Sequence, residues 1–198
     1  MIDEELPPPM VHKEVCDRSK AYYLSAAGHS QLCRIAFDNF LKDIVGKESN
    51  AVWIAFTNNI CFALEASLKS FLCLKGINEK KLSSREYGHN LLKLYNVAID
   101  NDLRDLNVVF REEDLSTVLG EIIQLFGKDY ASFNYRYIEK TIVTTISQNS
   151  IEMVLACIDY LNEYLNEEIK VRTSGVASYV PNLRRPFQSR PNSNESDI

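Results

Sequence analysis

The residues of this chain that are suited to chemistry are few. Only His12, His29 and His89 carry the side chain that titrates nearest neutral pH. His89 follows Arg85 closely in SSREYGHNLLKLYN, Ser83–Asn96. An arginine and a histidine converging on one phosphodiester have the means for metal-independent RNA cleavage. The imidazole can take a 2′-hydroxyl proton or protonate a leaving group, and the guanidinium offsets phosphate charge. Glu65 and Lys69 stand at i and i+4 spacing, which predicts an ion pair on a helix surface. Tyr130, Phe133, Tyr135 and Tyr137 offer faces that stack on bases or cap a core, and core capping is the preferred reading; Arg136, among them, is read first as a structural salt bridge to a helix acid such as Glu65 and second as a functional cation.

The elements that hold these residues decide which of them can meet. Two helix starts compete within Ser83–Asn96. In one, Ser83 is the N-cap and Glu86 completes a capping box, so Arg85 and His89 share a helical face. In the other, Gly88 permits a turn, Asn90 is the N-cap and Leu91 opens the helix. The second is preferred because the first buries a glycine inside the helix at a cost of roughly 1 kcal/mol. It makes His89 an anchor for the incoming chain and leaves Arg85 a surface charge.

All six prolines lie near the two ends, Pro7, Pro8 and Pro9 on one side and Pro181, Pro186 and Pro191 on the other. A long proline-free body with apolar residues every three or four positions predicts an all-α, up-and-down bundle of four to five helices with flexible tails. The expected division is a tail over 1–13, a bundle over 14–170 and a polar, disordered tail over 171–198. Within the bundle, helices are expected over about Glu14 to Ile44, loosened at Gly28, and from Val52 to a stop at Gly76. Further helices are expected from Leu91, over Leu115 to Phe126, and from Asn149 or Ser150 to Ile169. Between the last two, GKDYASFNYRYIEKTIVTTISQNS is read as a long loop whose β-branched TIVTT is extended.

Composition narrows the function classes. A net charge of −5 argues against nucleic-acid binding over the whole surface and leaves room for a local basic groove. Five scattered cysteines, Cys16, Cys33, Cys61, Cys73 and Cys157, read as buried hydrophobes in a reducing compartment, with no metal and no cofactor expected. The acidic, proline-rich start lacks the features of a signal peptide, and no apolar run is long enough for a membrane span. A cytoplasmic location without membrane contact is the expectation.

Taken in order, KAYYLSAAGHSQL, ALEASLKSFLCLKG, YGHNLLKLYNVA and FNYRYIEK resemble the HEPN superfamily (higher eukaryotes and prokaryotes nucleotide-binding domain), over about Ser19 to Glu168. The resemblance implies a helical bundle, commonly a homodimer, that binds RNA, a nucleotide or a partner protein, in settings such as defence or toxin–antitoxin systems. Members that cleave RNA carry an arginine followed a few residues later by a histidine, often with an acidic residue on the second helix that orients the arginine. By that pattern Glu65 matches the acidic position and Arg136 the arginine, while Thr141, Ile142 and Val143 stand where the histidine belongs. The implied member is therefore noncatalytic, with Arg136, Tyr135, Tyr137 and Lys69 as ligand-binding candidates and Glu65 and His89 beside them. One alternative is a metal-independent ribonuclease in which His89 is brought in spatially to act with Arg136 and Glu65. Another is a helical adaptor with no small ligand that pairs through an apolar stripe.

Overall fold

Helix α2 (Asn50–Leu74) is central because it is apolar on nearly every side. Ile60, Cys61, Ala63, Leu64, Leu68, Phe71 and Leu72 are all buried. Around it pack α1 (Met10–Ala36), α4 (Leu91–Asp100), α5 (Leu115–Ala131) and α6 (Gln148–Ser174). The computed structural model describes residues 10–41, 50–84, 86–106, 109–110, 113–131 and 148–174. These form an all-α bundle, as the periodicity predicts. Two small pieces escape a periodicity argument: a single helical turn, α3 (Glu79–Leu82), and a two-rung antiparallel ribbon of β1 (Val109–Phe110) with β2 (Glu113–Asp114).

Polar side chains fix how the long helices pair. α1 runs antiparallel to α2, with Ser19 bonded to Ser70 near one end and His29 to Asn59 nearer the other. α6 closes the layer by meeting both of them. Ser30 and Arg34 of α1 donate to Asp159, Ser67 of α2 donates to Asn162, and Arg172 donates to the Leu74 carbonyl at 2.6 Å. The α4–α5 pair is drawn close by glycine. A Cβ on Gly120 would lie 2.6 Å from the Tyr95 hydroxyl, which donates to the Ser116 carbonyl.

Several helix ends follow the sequence chemistry. Gly76, at φ 82°, ends α2 with its own N–H on Cys73 O and that of Ile77 on Leu72 O, the paired bonds of a Schellman stop. Asn90 caps α4 by accepting from the Lys93 N–H, so the second of the two competing helix starts is the one observed. Other boundaries move. α1 passes through Gly28 unbroken and loosens only at a π-helical turn, Phe37–Leu41. It begins at Met10, and α6 runs on to Ser174, so the helices overrun the expected 14–170 limits at both ends. Helix α5 continues past Phe126 to Ala131, which removes Tyr130 from the expected loop. The TIVTT segment, Arg85 and both expected tails beyond these helices lie outside the described residues.

Candidate functional site

Glu65 and Lys69 sit one turn apart on α2, as their spacing predicts, but not at the surface. Each is about 7% exposed. The Lys69 ammonium donates to Glu65 Oε1 at 2.6 Å and lies over the Tyr22 ring of α1. The other carboxylate oxygen, Oε2, accepts from the Tyr130 hydroxyl at 2.5 Å and from His89 Nδ1 at 2.9 Å. The expected surface pair is therefore a buried one, and the reason is tertiary: α1, α5 and the turn before α4 all close over that side of α2.

Burial alone would push the Glu65 carboxyl up. Hydrogen bonds from Lys69 and Tyr130, with the charges of Lys69 and His89, outweigh that penalty and hold it below the usual glutamate value. Glu65 is therefore a carboxylate at neutral pH and can only accept. Nδ1 of His89 must then carry a proton, and a neutral imidazole presents Nε2 as its lone-pair nitrogen. The His89 side chain is 35% exposed, far more than either α2 partner.

The backbone at His89 is unusual. Its φ is 62°, in the left-handed region that disfavours a non-glycine residue by roughly 1–2 kcal/mol. The preceding glycine permits the turn but does not itself take that conformation. Placing His89 there, directly before the Asn90 cap, turns its ring back onto α2. Phe62 completes the setting, with its ring edge-on to His89 and to Tyr130 at 6.2 and 5.7 Å between centroids. On its other side Phe62 stacks with His29, which is itself bonded to Asn59.

The structure thus brings Glu65, Lys69 and His89 into one cluster and adds Tyr130, Tyr22 and Phe62, which the sequence reading did not assign to it. Tyr130 was signalled by spacing, since it continues the series Leu119, Ile122, Ile123, Phe126. Arg136, Tyr135, Tyr137 and Phe133 lie outside the described residues, as does any distance from His89 to Arg136.

Chemically, the cluster offers an imidazole oriented by a buried carboxylate, the relation that fixes a general base in many hydrolases. Glu65 and Lys69 offset each other away from solvent. Two adjoining clefts of about 330 and 350 Å³ lie elsewhere, over the junction of α1 with α3, and share Arg18 and Glu79. Among the described residues Tyr22 connects them with the cluster, lining the first cleft and facing Lys69. All five cysteines are buried and none forms a disulfide, and burial pushes the thiols of Cys33 and Cys157 up to about 12, which makes them poor nucleophiles. Among the described residues no three His, Cys, Asp or Glu side chains assemble as a metal site, and no helix is long and apolar enough to cross a membrane.

No family model, no curated protein and no solved structure matches this chain.

Proposed function

We propose that this chain is a noncatalytic HEPN-like helical domain that binds RNA or a nucleotide beside His89. One observation carries the reading. An imidazole is held in a costly left-handed backbone conformation by a buried carboxylate, with about a third of its side chain left to solvent. Strain of this kind collects where a side chain has to be held in place for a ligand. The resemblance read in the sequence adds Arg136, Tyr135 and Tyr137, which follow Tyr130 closely along the chain and supply a phosphate-binding charge and stacking faces.

Cleavage through a 2′-hydroxyl needs one group to take a proton and a second to give one. In the described cluster only His89 combines exposure with a ring that can both accept and donate a proton. Lys69 and Glu65 are buried against each other, and Tyr130 is 1% exposed with its hydroxyl committed to Glu65. The second reading, a metal-independent ribonuclease, draws its support from the carboxylate–imidazole pair itself. Labelled RNA mixed with purified protein at low salt separates the two. Binding without cleavage, weakened in His89→Ala and in Arg136→Ala, is the expected result. Cleavage that disappears in both variants establishes the ribonuclease, and neither binding nor cleavage removes RNA from the account.

A further inference from the structure

A second imidazole, on the α1 side of the cluster, has its proton placed by the chain itself. The Ala55 carbonyl can only accept, so the Asn59 side-chain atom 2.8 Å from it is the amide nitrogen, and the amide oxygen turns to His29. The 2.8 Å bond from that oxygen to His29 Nδ1 then requires the proton on Nδ1. In the neutral ring the lone pair is left on Nε2, which bonds to no described residue. His29 is thus oriented as His89 is, through Nδ1 by a side chain of α2, and both rings lie against Phe62.

A second acceptor lies on the same face of α2. Asn58 stands one turn before Phe62 and two before Glu65, and its Oδ1 is buried with no hydrogen-bond partner. Buried acceptors are ordinarily satisfied, so an unmet one points to a donor that arrives from outside. The approach is open, because Ala55, the next residue along that face, is small and exposed.

We infer that His29 and Asn58 form an acceptor pair that takes the sugar hydroxyls of a ribonucleotide. The inference rests on the nucleotide reading above and narrows it. Two acceptors repel phosphate oxygens, which also only accept, and call for a group that donates. A sugar hydroxyl donates whatever the base, and the 2′-hydroxyl is what distinguishes RNA from DNA. A base amine donates too, but a base needs a ring face to lie on, and the Phe62 face toward α1 is taken by His29 at 5.3 Å between centroids.

Fluorescence anisotropy of the full chain at mildly alkaline pH tests this with one labelled sequence made as RNA, as DNA and as 2′-O-methyl RNA. The last keeps the sugar oxygen and loses its proton. Wild type is expected to bind RNA at least about tenfold more tightly than either other form, or 1.4 kcal/mol. His29→Ala and Asn58→Leu should each bring RNA down toward the DNA value while DNA affinity holds, which shows that each variant is folded. Asn58→Leu should also melt no lower than wild type, since an apolar group replaces an unmet polar one. Equal binding of all three forms overturns the inference and leaves the nucleotide reading standing. A preference for RNA that survives in both variants does the same. Binding of none of the three removes the nucleotide reading, and the acceptor pair with it.

Discussion

Glu65 accepts three hydrogen bonds in a site that water barely reaches, whereas Lys69 has one carboxylate partner and an aromatic face. The two residues are therefore unequal. Removing Glu65 strands a buried ammonium, a phenol and an imidazole together, so Glu65→Ala is expected to cost about 3–5 kcal/mol in urea unfolding. Lys69→Met leaves Glu65 with two donors and keeps an apolar stem over Tyr22, so its loss should be distinctly smaller. Equal losses would mean that the pair acts only as a pair. The spacing of Glu65 and Lys69 was legible in the sequence, and so was the anchoring role of His89. Their burial was not, because it depends on Tyr22, His89 and Tyr130 arriving from three separate parts of the chain. Nor does anything local announce that the left-handed residue is His89 rather than Gly88.

At the scale of elements, boundaries were readable where one residue type has a physical monopoly. Gly76 ends α2 because a left-handed stop favours glycine, and Asn90 starts α4 because its side chain can accept from the Lys93 amide. Asn90→Ala should cost about 1 kcal/mol, seen as a lower melting temperature, and should loosen the adjoining turn that aims His89 at Glu65. Elsewhere a glycine marks no end. The fourth helix is expected to stop at Phe126, but α5 continues through Gly127 to Ala131, with the Leu91 side chain 3.7 Å from where a Cβ on Gly127 would be. Gly28 suggested a loosening, but α1 runs straight through it. α3 and the two-rung ribbon are too short for any periodicity to register.

Over the whole molecule, the order of the long helices was legible and their partners were not, since hydrophobic period says which face is buried but not against what. The buried carboxylate gives the fold a pH dependence with a definite sign. Its folded-state pKa lies below the usual value of 4.5, so its contribution is complete above that pH and is lost as pH falls through the folded value. Urea midpoints measured on the way down from pH 6 should decline below about pH 4.5, and less steeply in Glu65→Gln, which has no proton to gain at that site. An identical decline in the variant would place the acid sensitivity elsewhere.

The order of the helices also bears on how the chain is made. Asp159 and Asn162 of α6 receive bonds from α1 and α2, and Arg172 reaches the end of α2. A ribosome releases those partners long after α1 and α2 have emerged. The apolar walls that α6 covers therefore stand open on the nascent chain while the intervening segments are being added, and that interval is when the protein is most exposed to aggregation and to chaperone capture.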